Sequence, residues 1–318
     1  MATTTRIEWA DVTVNPVRGC SHCSPGCDHC YAERVAARLA RIPNTARAYA
    51  GLVDVNGKWT GRFTVSLDTL DALSVKPRRI FVGSMCDLFH ENLPYNLFLW
   101  IVEKLSRYPQ HTFMLLTKRP ERMKHFISLT KESDTVCGLW PLPNLWLGVT
   151  VCNQAEADAK IPALLATPAA KRFVSVEPML GPVDLSKFLV RFRCHECNFE
   201  ALQNVENFIC PSCGKEALGS QHFSTALNWV ICGGETGPGA RPMNPDWVRS
   251  LRDQCQEATV PFFFKSWGEW APDCLCGTKK PHPETPRPAP GHMGCMFKCG
   301  KANSGRSIDK RIWDEVPQ

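Results

Sequence analysis

Four cysteines fall within eleven residues near the N-terminus, in GCSHCSPGCDHCYAER: Cys20, Cys23, Cys27 and Cys30. Thiolates ligate zinc and iron–sulfur clusters, and clustered cysteines can also pair as disulfides. Cys23, Cys27 and Cys30 have the spacing C-x3-C-x2-C. Three cysteines so spaced on one loop can ligate three irons of a [4Fe–4S] cluster and leave the fourth iron open. Cys20-x2-Cys23 and Cys27-x2-Cys30 are also two halves of a zinc knuckle, although three residues between the halves is short for a ribbon. Spacing alone keeps both metals open.

Two further groups carry other signals. Cys194, Cys197, Cys210 and Cys213 have the spacing C-x2-C-x12-C-x2-C, which reads as a structural zinc ribbon folding an insertion too small for its own core. Arg191, Arg193 and Lys215 flank it, so contact with nucleic acid is a second role open to it. Cys274, Cys276, Cys295 and Cys299 lie loosely around the proline-rich KKPHPETPRPAPG. A metal is expected there, zinc ahead of iron, because no standard cluster spacing occurs. Cys86 follows a strand-like run and is either a small buried residue or a thiol at a pocket mouth. Cys137, Cys152, Cys232 and Cys255 receive no role.

The chain of 318 residues holds 17 cysteines, an odd count that suits a pure disulfide scaffold poorly. It has no apolar run long enough to span a membrane, and MATTTRIEWADVT lacks a signal-peptide core, so a cytoplasmic protein is expected. Reducing pools there favour metal binding over disulfides. A net charge of +6 permits a nucleic-acid partner without requiring one.

The elements that must position these groups alternate. Strands are expected at 78–85, 111–119, 145–151, 172–180, 227–235 and 261–270. Helices are expected at 32–42, 96–108, 120–129, 155–166 (interrupted near Pro162) and 245–258. Residues 44–76 read as an irregular connection. With the cysteine segment as a first unit, this is an α/β chain of six or seven βα units. It reads as a partial or complete (β/α) barrel with a zinc-ribbon insertion, since no G-x-G-x-x-G follows a strand. Residues 1–190 and 224–270 form the barrel, 191–223 the insertion, and 271–318 a Cys/Pro-rich segment. Polar residues gather where strands end: Ser84 and Asp87, Lys118 and Arg119, Thr150 and Asn153, Glu177, Glu235, Lys265. Strand C-termini build the active sites of barrels. Arg34, Arg38 and Arg41 share a helix face, either solvated or available to phosphates.

C-x3-C-x2-C between a first strand and a first helix is the signature of the radical S-adenosylmethionine (SAM) superfamily. NPVRGCSHCSPGCDHCYAER, VGSMCDLFHE, LLTKRPERM, LWLGVTVCNQ, SVEPMLGPVDL, WVICGGETGPGARPMNPDWVRSLRDQC and PFFFKSWGEW together resemble a phage- and bacteria-associated radical-SAM-like family of unknown function. CDHCY is similar to the cluster motif of spore photoproduct lyase. One departure is that the aromatic usually preceding the last cluster cysteine is His29 here, and Tyr31 follows it.

The resemblance implies a [4Fe–4S] cluster on Cys23, Cys27 and Cys30, with SAM bound at its open iron and cleaved to methionine and a 5′-deoxyadenosyl radical. It implies Ser84 and Asp87 at the SAM amino group, and Lys118, Thr150 and Glu177 at its carboxylate and ribose. Cys86 would return a hydrogen atom to a substrate radical. An electron donor such as flavodoxin or ferredoxin is also implied. Nucleic acid, DNA first, is the favoured substrate, for base lesion repair or modification, with KPRR (76–79) and KRPERMK (118–124) available to phosphates. The alternatives are a radical SAM enzyme that modifies peptides and a non-catalytic, zinc-dependent nucleic-acid-binding protein.

Overall fold

The computed structural model describes residues 3–5, 7–71, 73–132, 139–193, 200–202, 213–214, 224–272 and 296–318. Seven parallel strands form one sheet in sequence order: β1 (Val12–Val14), β2 (Arg79–Val82), β3 (Thr112–Thr117), β4 (Leu145–Val151), β5 (Lys171–Val176), β6 (Trp229–Gly233) and β7 (Phe262–Ser266). Register runs through Val14↔Val82↔Leu115 and on through Gly148↔Phe173↔Trp229. A two-residue strand, Thr3–Thr4, adds antiparallel to β1, and β1 and β7 do not pair with each other. The fold is therefore a partial, open (β/α) barrel.

Period-two alternation sorts the strand residues. One set, including Ile80, Phe113, Leu147, Val174, Val230 and Phe264, packs in the main core with the crossover helices. The other set is Phe81, Met114, Trp146, Phe173, Trp229, Ile231 and Phe263, and it closes around Trp9 from the segment before β1. Trp9 meets Phe81 at 4.8 Å between ring centroids and Trp229 at 6.3 Å. Gly148 sits where a Cβ would lie 2.4 Å from the Phe173 ring, so only glycine fits this layer.

The helices are α1 (Tyr31–Leu39), α2 (Pro43–Tyr49), α3 (Tyr95–Ser106), α4 (Pro120–Lys131), α5 (Gln154–Ala166) and α6 (Pro245–Glu257). Three sequence expectations change. The first helix stops at Leu39, because Pro43 starts α2, and Ile42 is its N-cap. The connection 44–76 is not irregular: it holds most of α2, a β-bridge between Val53 and Trp59, a strand at Thr64–Val65 and a 3-10 turn at Leu67–Leu70. α5 runs unbroken through Pro162, started by Asn153, whose side chain accepts from the Glu156 amide at 3.0 Å.

Backbone strands at Val190–Arg193, Glu200–Leu202 and Ser224–Thr225 pair antiparallel where the insertion leaves and rejoins the chain. Cys194, Cys197 and Cys210 of the expected ribbon lie outside the described residues, as do Cys274, Cys276 and Cys295. Cys213 is exposed and Cys299 half-buried. Among the described residues, no helix is long and apolar enough to cross a membrane.

Candidate active site

The loop from β1 to α1 carries the N-terminal cysteines over the C-terminal end of the sheet. Ser24 starts a 3-10 turn over Pro25–Cys27, its side chain accepting from the Gly26 amide at 3.2 Å. Two further turn bonds, Cys27 N–H to Ser24 O (2.9 Å) and Cys30 N–H to Cys27 O (3.2 Å), coil the loop inward. Gly26 lets it dock: a Cβ there would lie 2.5 Å from the Cys152 sulfur.

Beneath this loop lies a cavity of about 190 Å³. Its interior side is aromatic and apolar, with Trp9, Phe81 and Leu116. Its walls include Cys20, Cys23, Cys27 and Cys30, and the strand-end residues Ser84, Cys86, Asp87, Lys118, Thr150 and Glu177. Every residue the sequence suggested for cluster, SAM or hydrogen donation therefore lines one space. Each strand contributes its inward-facing position just past the aromatic layer: Thr150 two residues beyond Gly148, Ser175 two beyond Phe173, Lys265 two beyond Phe263.

Charges in the cavity are arranged unequally. Asp87 is buried and its oxygens already accept four bonds: Phe89 N–H (3.0 Å), Thr117 Oγ1 (2.7 Å), Lys118 N–H (3.1 Å) and Arg119 Nη1 (3.2 Å). Arg119 also pairs with Glu91 (2.7 Å) and donates to Ser21 Oγ (2.9 Å). The Arg119 side chain is therefore committed to holding the cysteine loop against the end of β3, and is not free for phosphates. Buried His90 accepts from the Asn92 amide on Nδ1, so its Nε2 donates to Ser21 Oγ (2.6 Å). Glu177 pairs with Lys265 at 2.8 Å and accepts from Ser175 at 3.0 Å. Burial lowers the Lys265 pKa, but Glu177 outweighs it and holds the amine charged. Burial also opposes the charge of Lys118, and the Cys27, Cys30 and Cys152 sulfurs and Asp87 more than offset it. Among the described residues, Lys118 has no carboxylate within ion-pair distance.

The thiols differ. A hydrogen bond from Cys23 lowers the Cys27 pKa against burial, with help from Lys118, and the same bond and burial raise Cys23. Cys20 is pushed up to about 12 by burial and then by Asp87. Cys86 is pushed well above the ordinary thiol value by burial and then by Cys20 and Asp87, so it keeps its proton. Tyr31, the displaced aromatic of the motif, donates its hydroxyl to the Ser84 carbonyl at 2.7 Å.

The sequence reading missed a second clamp. After β6 the chain runs GGETGPGAR. Arg241 binds Glu235 and reaches Asp28 (3.1 Å) and the Pro25 carbonyl (2.9 Å) in the cysteine loop. Gly239 lies under His29, where a Cβ would sit 2.6 Å from the ring. Arg34 donates to the Thr236 carbonyl at 2.7 Å across Gly237, so it is not part of a solvated stripe. The density of glycine immediately after a strand was the available signal.

Among the described residues, no three His, Cys, Asp or Glu side chains converge tightly enough to hold a single metal ion. A cubane cluster asks for something else. Each cysteine sulfur meets its own iron, so three thiols facing one cavity, one of them acidified beside a lysine, suit it without converging on a point.

The chain belongs to a family described as "Protein of unknown function (DUF5131)", whose model matches residues 4–317. No curated protein matches. Solved structures of spore photoproduct lyase are similar at low level. A complex with dinucleoside spore photoproduct has a TM-score of 0.38 and 10% identity, covering 81% of this chain and 64% of that one. A variant with bound AdoMet and dinucleoside spore photoproduct has a TM-score of 0.37 and 11% identity, covering 56% and 48%. The chain thus spans about half the length of the first structures it matches.

Proposed function

We propose that this protein is a radical SAM enzyme acting on nucleic acid, with DNA favoured and base lesion repair or base modification as the reaction class. The observation that supports it most is the docking of Cys23, Cys27 and Cys30 over one cavity at the C-terminal mouth of an open parallel barrel. These three cysteines would hold a [4Fe–4S] cluster, leaving one iron to SAM. When bound, that pair supplies reductive cleavage of a carbon–sulfur bond and a 5′-deoxyadenosyl radical.

The residues around it have separable tasks. Lys118, with no carboxylate at ion-pair distance among the described residues, offers its positive charge to the SAM carboxylate. Ser84 and Thr150 offer hydroxyls, and Glu177, held by Lys265, offers an oriented carboxylate. Asp87 acts one step back, by fixing Lys118 through its amide and Arg119 through its guanidinium. Trp9, Phe81 and Leu116 keep the interior side dry. Cys86 retains its S–H hydrogen and is the group to return a hydrogen atom to a substrate carbon radical. The C–H bond forms as the S–H bond breaks, and an electron from the flavodoxin- or ferredoxin-type donor together with a proton from water would restore the thiol.

Anaerobic reconstitution with iron and sulfide tests this reading. The expected product is brown, binds iron and cleaves SAM to 5′-deoxyadenosine. Alanine at Cys23, Cys27 or Cys30 should abolish both properties, while Cys20→Ala keeps them. Equal behaviour of Cys20→Ala and Cys27→Ala would instead establish a four-cysteine metal site.

A further inference from the structure

The crossover from β1 to β2, residues 15–78, is the longest in the sheet. It builds a cap from α1, α2 and a tight turn, with a small core of Ala32, Ala36, Tyr49 and Leu52 into which Met85, from the segment after β2, also packs. The turn is rigid. Val53 bridges Trp59, and Asp54 Oδ1 accepts the amides of Asn56 and Lys58, both at 2.8 Å. Gly57 takes a positive φ of 76° and lies in contact distance of Ala37 on α1. This cap is strongly basic. Residues 31–62 hold six arginines and lysines against only Glu33 and Asp54. Glu33 is buried on His22 and Lys58, and Asp54 is used in the turn. Arg38, Arg41, Arg47 and Arg62 are exposed, and among the described residues none has an ion pair or a side-chain hydrogen bond. Arg119, Arg241, Arg249 and Arg252, by contrast, all pair with carboxylates.

We infer that this cap is the surface that grips the nucleic-acid strand, its phosphates running along Arg38, Arg41, Arg47 and Arg62 while Tyr31 and Trp59 receive the base at the mouth. The inference rests on the proposed reaction on nucleic acid. Planar guanidinium groups without protein partners match phosphate oxygens bidentately. Tyr31 and Trp59 both line the cavity, and Tyr31 stands on the same helix as Arg38, about 10 Å along it. A basic track beside aromatic faces is how single strands are held. The reactive cavity lies below the mouth, so a base has to leave its stack to enter, and its backbone must pass beside the opening. Val55, at the tip of the turn, is 97% exposed and offers an apolar edge for the gap the base leaves.

The test is binding of a fluorescent single-stranded oligonucleotide, as DNA and as RNA, to the reconstituted full chain over a range of salt. The variants are Arg38→Ala/Arg41→Ala/Arg47→Ala and, as a control, Arg107→Ala, an exposed arginine just past the far end of α3. Circular dichroism checks their folding. The expected result is salt-dependent binding whose log–log slope falls by about 0.7 for each phosphate contact removed, with Arg107→Ala unchanged. If the native chain binds and the triple variant keeps its slope, the cap is not the grip, and the nucleic-acid reading stands without it. If the native chain cleaves SAM yet binds neither strand, the nucleic-acid reading and this inference both fall. Unchanged affinity for an abasic-gapped duplex in both Val55→Phe and Val55→Asp would overturn the role of the tip.

Discussion

Arg241 holds Glu235 by three bonds, two from its guanidinium at 2.6 and 2.9 Å and one from its own amide at 2.8 Å. The remaining guanidinium donors fix the cysteine loop at Asp28 and Pro25. Together with Arg119 on Ser21, this makes two independent arginine clamps on one loop.

Removing Arg241 leaves Glu235, a carboxylate whose side chain is 4% exposed, without its partner. Arg241→Ala is expected to destabilise the fold by about 3 kcal/mol and to lower iron retention after gel filtration. Arg241→Lys restores charge but not the fork, so it should recover stability only in part. Native iron retention in Arg241→Ala would show that the loop does not depend on this contact.

Cys86 gives a different readout. Its thiol hydrogen exchanges with water, so in D2O the repaired or modified product should carry solvent deuterium. Cys86→Ala is expected to keep the cluster and SAM cleavage and to lose that deuterium, with ultraviolet-irradiated DNA as the substrate. Undiminished deuterium in Cys86→Ala would move hydrogen return to another group.

Gly148→Ala probes the aromatic interior. A methyl directed at the Phe173 ring from 2.4 Å forces a shift in a layer that Trp9 and Trp229 also fill. The expected cost is about 1–3 kcal/mol, seen as a lower urea midpoint. An unchanged midpoint would mean that the layer is loosely packed.

Stability should also fall in mild acid. His111 is 1% exposed, and burial lowers its pKa from 6.5, a contact with the Ser74 backbone only partly opposing this. His90 is lowered in the same direction by burial and Arg119. The folded state therefore binds fewer protons than the unfolded chain as pH drops through 6.5, and stability present above that value is lost below it. His111→Phe should flatten the decline and leave the part due to His90. A decline unaltered in His111→Phe would place its origin elsewhere.

The sequence by itself determined the repeating βα units, because buried strands are short apolar runs and local spacing records them, but not where each strand stops: the runs expected to reach 85, 180 and 270 end at Val82, Val176 and Ser266. It also determined which residues meet: the C-x3-C-x2-C cysteines and the polar residues after six strands share one cavity, Asn153 excepted, since parallel strands all end on the same side. Tertiary structure decided how those residues are employed. Asp87 and Arg119 read as open site groups, yet Asp87 is taken up by Phe89, Thr117, Lys118 and Arg119, and Arg119 by Asp87, Glu91 and Ser21. Arg34 read as surface, yet it crosses to Thr236, a partner 202 residues away in the chain. Likewise Arg241 reaches back 213 residues to Asp28. No local pattern encodes such pairings, because they depend on which loops the folded sheet brings side by side.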